Sequence, residues 1–367
     1  MLIKGKPDIT DHDGAVLLIQ LGDIGDVVLT MPALKALRHG FPDRKLIMCV
    51  RDQAGDLVTD CPWADETLTI KKNNANRSSW MAHQTRILQT MVGNRFYMAI
   101  DLRTGTRGGI LTALSMAHYR IGRFAEPKAL WRNRIFTHLV KPENERTQYA
   151  ARHNLNILAP FDIGTSDIRP HLTVPQSRTQ RALQLLRETG VPQDRPLIAI
   201  HPFSLWKYKE WRTNALIALI DGIKERYDVS IIITGAPEEA KRVKAIIQAC
   251  KRKVVSLAGR TAIGDLPALL QRCHLLIGVD TAALHIAAAV GVPTVGIFGP
   301  SDPMTWAPRG ASHAVITRKC SCQPCRQKGC QGSEFSRCLD ELDSETVLST
   351  VKPMLEKSGI HPKPPAH

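Results

Sequence analysis

Short apolar segments of strand length alternate with amphipathic segments of helix length along most of the chain. The predicted strands are residues 16–20, 45–50, 66–70, 96–101, 118–121, 196–201, 230–234, 275–279 and 294–298, with a further strand and turn at 254–261. The predicted helices are residues 27–38, 78–92, 108–116, 149–158, 177–188, 215–226, 266–273 and 344–356. Strands and helices that alternate in this way form parallel sheets covered by helices. The sequence therefore predicts an α/β fold.

The chain length favours two domains, because 367 residues exceed the usual size of a single hydrophobic core. The alternation is interrupted by a proline-containing, loop-like stretch near residues 162–176. We place the first domain at residues 1–175 and the second at 176–342. Residues 343–367 are predicted to form a last helix and a disordered tail rich in proline.

The formal net charge of +15 indicates an acidic partner. Nucleic acid, an anionic membrane surface and phosphorylated substrates all fit a basic protein. The first eight residues lack the apolar region of a secretory signal, and no apolar run is long enough to span a bilayer. We therefore expect a cytoplasmic protein whose contact with a membrane, if it has one, is peripheral.

A polar turn between a strand and a helix at residues 278–289 is a candidate anion site. Asp280 and Thr281 follow a buried strand, and Ala282 begins an alanine-rich helix. In parallel sheets ligands bind beyond the carboxyl ends of the strands, and the N–H groups at a helix start favour an anion. His285 lies one turn further on, where it can point back at the same ligand. Taken alone, these residues favour the simpler interpretation, in which Asp280 and Thr281 only cap the helix.

The turn after the first strand is a second candidate site. Gly22 and Gly25 permit a ligand to approach the main chain, although the spacing is not the dinucleotide fingerprint G-x-G-x-x-G. Asp26 stands at the start of the next helix, where it can accept a proton from a hydroxyl group. Its alternative role is a favourable interaction with the helix dipole.

The loop at residues 201–211 suits phosphate binding, because it carries Ser204, Lys207 and Lys209. A solvated loop with two tryptophans packed beneath it is the alternative. A basic stretch suits an anionic acceptor, or is a solvated face. It comprises Arg120, Arg123, Lys128, Arg132 and Arg134.

Five of the nine cysteines crowd into one segment near the end of the chain. They are Cys320, Cys322, Cys325, Cys330 and Cys338. In a reducing compartment such a cluster suggests metal before disulfides, but the spacing is irregular for zinc. A role for these thiols stays open.

Several short motifs occur in one order across nearly the whole chain. They are Gly25-Asp26-Val27 with Pro32-Ala33-Leu34, Lys209-Glu210-Trp211, Gly235-Ala236-Pro237-Glu238-Glu239, Leu257-Ala258-Gly259-Arg260-Thr261, Asp280-Thr281-Ala282 with His285, and Phe298-Gly299-Pro300-Ser301-Asp302-Pro303. By these residues the chain resembles the lipopolysaccharide heptosyltransferases of glycosyltransferase family nine. The resemblance implies a GT-B architecture, in which two Rossmann-like domains face each other across a cleft. It also implies transfer of a heptose from ADP-heptose to the lipopolysaccharide inner core, with inversion, at the cytoplasmic face of the inner membrane.

The resemblance assigns roles to residues of several of these motifs. Asp26 is the general base, with Gly25 beside it in the acceptor domain. In the donor domain, Lys209 and Ser204 contact the diphosphate. Asp280, Thr281, Ala282 and His285 surround the phosphate and heptose, while Glu238 or Glu239 and the Arg260–Thr261 turn contact the nucleoside. The sequence lacks a D-x-D motif at a strand end, so we expect transfer without a metal or other cofactor.

Two other classes of function compete with this prediction. A different GT-B enzyme, either a transferase of another sugar or a nucleotide-sugar epimerase, fits the same fold. A nucleic-acid-binding module fits the basic charge, but the aromatic fraction is only 5% and no nucleic-acid motif is present. We therefore expect the acidic partners to be a nucleotide sugar, a lipopolysaccharide core and an anionic membrane surface, and no nucleic acid.

Overall fold

A computed structural model describes residues 1–7, 9–10, 13–71, 77–126, 130–145 and 147–364. The chain divides into two compact units, Met1–Thr173 (unit 1) and Val174–His367 (unit 2). The predicted division lay two residues later. No helix in the described part of the chain is long and apolar enough to cross a bilayer.

Unit 1 is built on one sheet. Its strands are β1 (Leu2–Lys4), β2 (Ala15–Gln20), β3 (Leu46–Arg51), β4 (Glu66–Ile70), β5 (Phe96–Asp101), β6 (Tyr119–Arg123) and β7 (His138–Val140). In space they follow the order β1-β7-β6-β5-β2-β3-β4, with β1 antiparallel to β7 and all other neighbours parallel. The helices are α1 (Ile24–Val28), α2 (Met31–Gly40), α3 (Asp52–Val58), α4 (Arg77–Gly93), α5 (Thr106–Leu114), α6 (Leu130–Ile135) and α7 (Ala150–Leu158).

Unit 2 contains a second parallel sheet. Its strands are β8 (Leu197–His201), β9 (Ser230–Ile233), β10 (Val255–Ser256), β11 (Leu275–Val279), β12 (Thr294–Ile297) and β13 (His313–Ile316), in the order β10-β9-β8-β11-β12-β13. The helices are α8 (Gln176–Glu188), α9 (Thr213–Arg226), α10 (Ala240–Ala249), α11 (Leu266–Gln271), α12 (Ala282–Ala289), α13 (Pro303–Trp306), α14 (Arg337–Asp340) and α15 (Ser344–Lys357).

Both sheets have the Rossmann strand order. When the six parallel strands of each sheet are numbered along the chain, their spatial order is 3-2-1-4-5-6. The chain reverses its direction of winding between the strands numbered 1 and 4, and a crevice for ligands opens at their carboxyl ends. These positions are β2 and β5 in unit 1, and β8 and β11 in unit 2. The prediction of two parallel-sheet Rossmann-like domains is confirmed.

The predicted helix at 27–38 is two helices in the structure. The helix is interrupted at Leu29 and Thr30. There the Thr30 hydroxyl donates to the Asp26 carbonyl at 2.8 Å. Pro32 stands in the first turn of α2 and has no N–H to continue the ladder of α1. The break makes α1 a short helix that holds Asp26 at the strand end.

The C-terminal segment belongs to the core of unit 2. Helix α15 buries Val347, Leu348 and Val351 in the same apolar cluster as the sheet of this unit. Part of the predicted disordered tail is also ordered, because the Lys363 N–H donates to the Arg226 carbonyl at 2.7 Å. Residues 365–367 of the predicted tail lie outside the described residues.

Candidate active site

The turns after β2 and β5 meet at the point of reversal in unit 1. An ion pair joins them: Arg103 Nη1 donates to Asp26 Oδ2 at 2.8 Å. The same oxygen accepts the Asp23 N–H at 3.0 Å. Asp26 is half-buried and Gly25 lies beside it in the first turn of α1. The structure therefore places both predicted residues at the ligand-binding edge of the sheet and adds Arg103, which the sequence analysis did not select.

Gly22 makes this close approach possible. A Cβ atom at Gly22 would lie 2.3 Å from Asp26 Oδ2, 2.6 Å from Asp26 Cβ and 2.7 Å from Arg103 Nη1. The Gly22 N–H donates to Gln20 Oε1, and the amide of that buried glutamine donates to Thr30. A side chain at this position would displace the ion pair.

A buried ion pair shapes the turn that carries Arg103. Arg132 and Asp101 are each 1% exposed, and Arg132 Nη2 lies 2.7 Å from Asp101 Oδ2. Arg132 also donates to the carbonyls of Arg103, Gly105 and Arg123, while Asp101 Oδ1 accepts the Arg103 N–H at 3.1 Å. Arg132 therefore holds the turn in place from beneath.

Three members of the basic stretch, Arg120, Arg123 and Arg132, make contacts within unit 1. Arg132 is buried as described above. Arg120 donates to the carbonyls of Ala117 and Ile135, and Arg123 pairs with Glu145. These guanidinium groups make internal contacts that could not be predicted from the sequence alone. Lys128 lies outside the described residues, and Arg134 is exposed.

The turns after β8 and β11 meet at the corresponding point in unit 2. Lys209 Nζ donates to Asp280 Oδ2 at 2.6 Å, and the Asp280 side chain is 6% exposed. Ser204 Oγ donates to the Asp280 carbonyl at 3.4 Å. Three residues predicted for the donor phosphates are thus brought together. Asp280 offsets the charge of Lys209, so these two residues form a neutral pair.

The start of α12 differs from the simple capping interpretation. Thr281 occupies the N-cap position, but its side chain makes no capping hydrogen bond, and Asp280 is engaged by Lys209. Ala282 is half-buried at the first helical position, and His285 is buried one turn later. The Thr281 side chain therefore does not cap the N–H groups at this helix end, although the Thr281 carbonyl accepts the Leu284 N–H at 3.1 Å.

Two further turns carry the residues predicted for the nucleoside. Glu238 is exposed, whereas Glu239 accepts the Ala236 N–H at 2.7 Å. Burial, together with the nearby carboxylates Glu210 and Glu238, raises the pKa of Glu239 above its usual range. A charged form of Glu239 is therefore less favoured than that of an exposed glutamate.

The turn after β10 is held against the turn after β9. The Gly259 N–H donates to the Gly235 carbonyl at 2.9 Å, and a Cβ atom on Gly259, whose φ is +72°, would lie 2.9 Å from Pro237 Cα. The buried Thr261 Oγ1 has no hydrogen-bond partner among the described residues. Arg260 is exposed and lies 3.8 Å from Glu188.

The cysteine-rich segment contacts two turns at the carboxyl edge of the sheet in unit 2. Gln323 Nε2 donates to the Phe298 and Gly299 carbonyls, and the Arg326 N–H donates to the Pro300 carbonyl at 2.8 Å. Ser336 Oγ donates to the Tyr208 carbonyl. The segment thus contacts the turn after β12 and the loop after β8.

Cys338 is the buried thiol of this segment, and the other four cysteines are partly or fully exposed. Burial raises the pKa of the Cys338 thiol to about 11, and the other four thiols of the cluster add to the effect. Within the described ranges, no three histidine, cysteine, aspartate or glutamate side chains are arranged to hold a metal ion. All five cysteines are free thiols in the structure.

Two Rossmann-like domains in one chain are the architecture of the GT-B class of glycosyltransferases. The model of glycosyltransferase family 9 (heptosyltransferase) matches residues 84–335, which is more than half of the chain. The chain belongs to this family.

Known relatives agree with this assignment. The chain is 27% identical over 289 residues to lipopolysaccharide heptosyltransferase 3 of Escherichia coli, covering 77% of this chain and 83% of the relative. A family 9 glycosyltransferase from Veillonella parvula has a similar fold, with a TM-score of 0.80 and 19% identity, covering 94% of this chain and 97% of that one. The E. coli ADP-heptose LPS heptosyltransferase II is similar as well, with a TM-score of 0.75, 17% identity and coverage of 94% and 99%.

Proposed function

We propose that this protein transfers a heptose from ADP-heptose to the lipopolysaccharide core, with inversion at the anomeric carbon. The observation that carries the proposal is the Lys209–Asp280 pair at the point of reversal in unit 2, beside the open N-terminal end of α12. The names of the relatives supply the sugar, the donor and the acceptor.

The donor diphosphate binds at the carboxyl edge of the sheet in unit 2. An ammonium group has three N–H donors, so Lys209 retains two after it donates to Asp280. The N–H groups at the start of α12 and the Ser204 hydroxyl supply further donors, while Asp280 keeps the ammonium in position. His285 and Ala282 lie next to this anion site in the first turn of α12. The buried hydroxyl of Thr261 is a group that a bound nucleoside would satisfy.

Asp26 acts as the general base for the acceptor. Its carboxylate takes the proton from an acceptor hydroxyl as the hydroxyl oxygen bonds to C1 of the heptose. The bond between C1 and the β-phosphate oxygen breaks, and ADP leaves with that electron pair. Lys209 and the helix start stabilise the charge that develops on the leaving diphosphate. The residues at the two points of reversal supply these interactions without a metal.

The acceptor places the reaction at the inner face of the inner membrane. A lipopolysaccharide core is attached to lipid, and the net charge of +15 favours peripheral contact with an anionic surface. The protein then works in the cytoplasm while it is bound reversibly to that surface.

Thermal-shift titration with ADP, ADP-heptose, UDP and GDP tests the donor assignment. A ligand that binds the folded state raises the melting temperature, and the stabilisation grows with the logarithm of its concentration over Kd. We expect a shift with ADP and ADP-heptose alone, and transfer of heptose to purified core acceptor in the same buffer. A preference for UDP, or no transfer from ADP-heptose, would contradict the proposal.

A pair of lysine variants tests whether Lys209 is responsible for ADP binding. Lys209→Ala is expected to reduce the ADP shift, because it removes the cation at the anion site. Lys207→Ala is the control, because Lys207 is an exposed lysine of the same loop. An equal loss in both variants would mean that the loop, and not the Lys209 ammonium, determines binding.

A further inference from the structure

The outer sides of α4 and α5 carry exposed apolar side chains. Both helices cover the same face of the sheet in unit 1, because Ile87 and Met91 of α4 and Leu111 of α5 join one core cluster with β2 and β5. Their other sides face solvent. The exposed apolar residues there are Met81, Leu88 and Val92 of α4, Ile110 and Leu114 of α5, and Met116 in the turn after α5. We call these six residues the outer apolar face.

The outer apolar face is more than a set of scattered residues. Met81, Leu88 and Val92 are seven and four residues apart, so they lie along one side of α4. Ile110 and Leu114 are four residues apart on α5. Val92, Leu114 and Met116 line one groove of about 390 Å³ at the amino ends of the strands. Val92 is 84% exposed and Met116 is 85% exposed, so two large apolar side chains stand in water where the helices meet the groove.

Met116 is held outward at a cost. Its φ is +49°, in the left-handed region where a residue with a Cβ is disfavoured and where glycine or asparagine usually ends a helix. This backbone conformation presents the Met116 side chain to solvent.

The charge around the outer apolar face is predominantly positive. Between Glu66 and Glu126 the sequence contains nine lysines and arginines, of which Arg103, Arg120 and Arg123 make the internal contacts described above, and a single acidic residue, Asp101. Asp101 is buried in its pair with Arg132. Arg107 lies three and seven residues before Ile110 and Leu114, and Arg95 lines the groove with Val92 and Met116. Asp13 is the one acidic residue among those that line it.

We infer that the outer apolar face is the part of the protein that docks onto an anionic lipid bilayer. Apolar side chains bordered by arginines match the layered chemistry of such a surface, in which phosphate groups lie above hydrocarbon. A groove for a protein partner would not need so few acidic residues, and the single one between Thr67 and Ala125, Asp101, is buried. The inference deepens the proposed function, on which its biological setting rests, by naming the surface that brings the enzyme to its lipid-linked acceptor.

Sedimentation of the full-length protein with lipid vesicles tests the inference. Vesicles of phosphatidylcholine alone are compared with vesicles that also contain phosphatidylglycerol, at low and high salt. We expect binding to the anionic vesicles only, weakened by salt, and about fivefold weaker after Arg95→Gln or Arg107→Gln. An absence of binding to anionic vesicles would overturn the inference.

A double variant isolates the apolar contribution. Met116→Gly removes the side chain and relieves the positive φ, and Val92→Ser shortens a side chain that is already in water, so Met116→Gly/Val92→Ser is expected to fold normally. Its binding to anionic vesicles should fall at least about tenfold, because two inserted side chains are lost. Val315→Ser is the control, since Val315 is an exposed valine of unit 2. Equal binding by the double variant and the wild type would place the membrane contact elsewhere.

Two further measurements distinguish a failure of the membrane inference from a failure of the proposed function. Transfer of heptose to a deacylated, water-soluble core acceptor should be unchanged in the double variant. Loss of all transfer in the wild type would contradict the proposed function and leave the vesicle result intact. Concentration-dependent self-association of the wild type that the double variant loses, without vesicle binding, would assign the face to a second copy of the chain.

Discussion

Asp26 is the residue that we propose as the general base. The Asp26 carboxylate accepts two hydrogen bonds among the described residues, and Oδ2 is the acceptor in both. We expect Asp26→Asn to lower kcat by about 10²–10⁴-fold, which is the usual contribution of a general base. The ADP shift should be retained, because the proposed donor groups lie in unit 2. Steady-state transfer assays and thermal-shift titration measure the two quantities.

Asp23→Asn is the matched control for this prediction. Asp23 precedes Asp26 by three residues at the same helix end, and its carboxylate lies 3.2 Å from Arg51. The control removes the same charge from nearly the same place and should change kcat by less than about tenfold. A turnover of Asp26→Asn close to that of the control would remove Asp26 from the base role.

At the scale of the structural elements, the Lys209–Asp280 pair links the loop after β8 to the loop after β11. Lys209→Met leaves the buried Asp280 carboxylate without its partner, and we expect the free energy of unfolding to fall by about 3 kcal/mol. Lys209→Met/Asp280→Asn should recover part of this loss, since the buried charge is gone. Urea unfolding of the two single variants and the double variant gives the coupling energy. Strictly additive losses would show that the pair does not stabilise these loops.

At the scale of the whole molecule, the apolar cluster built on the second sheet lies within unit 2. We therefore expect residues 174–367, produced alone, to fold and to bind ADP as the full chain does. Residues 174–342 are the control, because they lack α15 and with it five buried apolar side chains. At about 1.5–3 kcal/mol each, these side chains account for a stability comparable with that of an entire domain. Circular dichroism and ADP titration test both fragments, and cooperative folding of the shorter one would contradict the role given to α15.

The strands were predictable because parallel strands are buried on both faces and appear as continuous apolar runs. All six residues of β2 and of β5 are buried, and the sequence analysis found both segments. The three-residue strands β1 and β7 were missed, because so short a segment carries no periodicity. The helix break at Thr30 was missed as well, since it depends on one hydroxyl group and one proline.

The sequence by itself determined the α/β class, the two domains and the family, because the strand and helix periods and the ordered motifs are local properties of the chain. It also placed Asp26, Lys209 and Asp280 at strand ends. Only the tertiary structure decided the partners: Arg103 with Asp26, Lys209 with Asp280, and Arg132 with Asp101. The strand order brings these partners together. It places β2 beside β5, and β8 beside β11, although the two strands of each pair are far apart in the sequence. For the same reason Arg132 looked like a surface cation until the fold buried it beneath a turn.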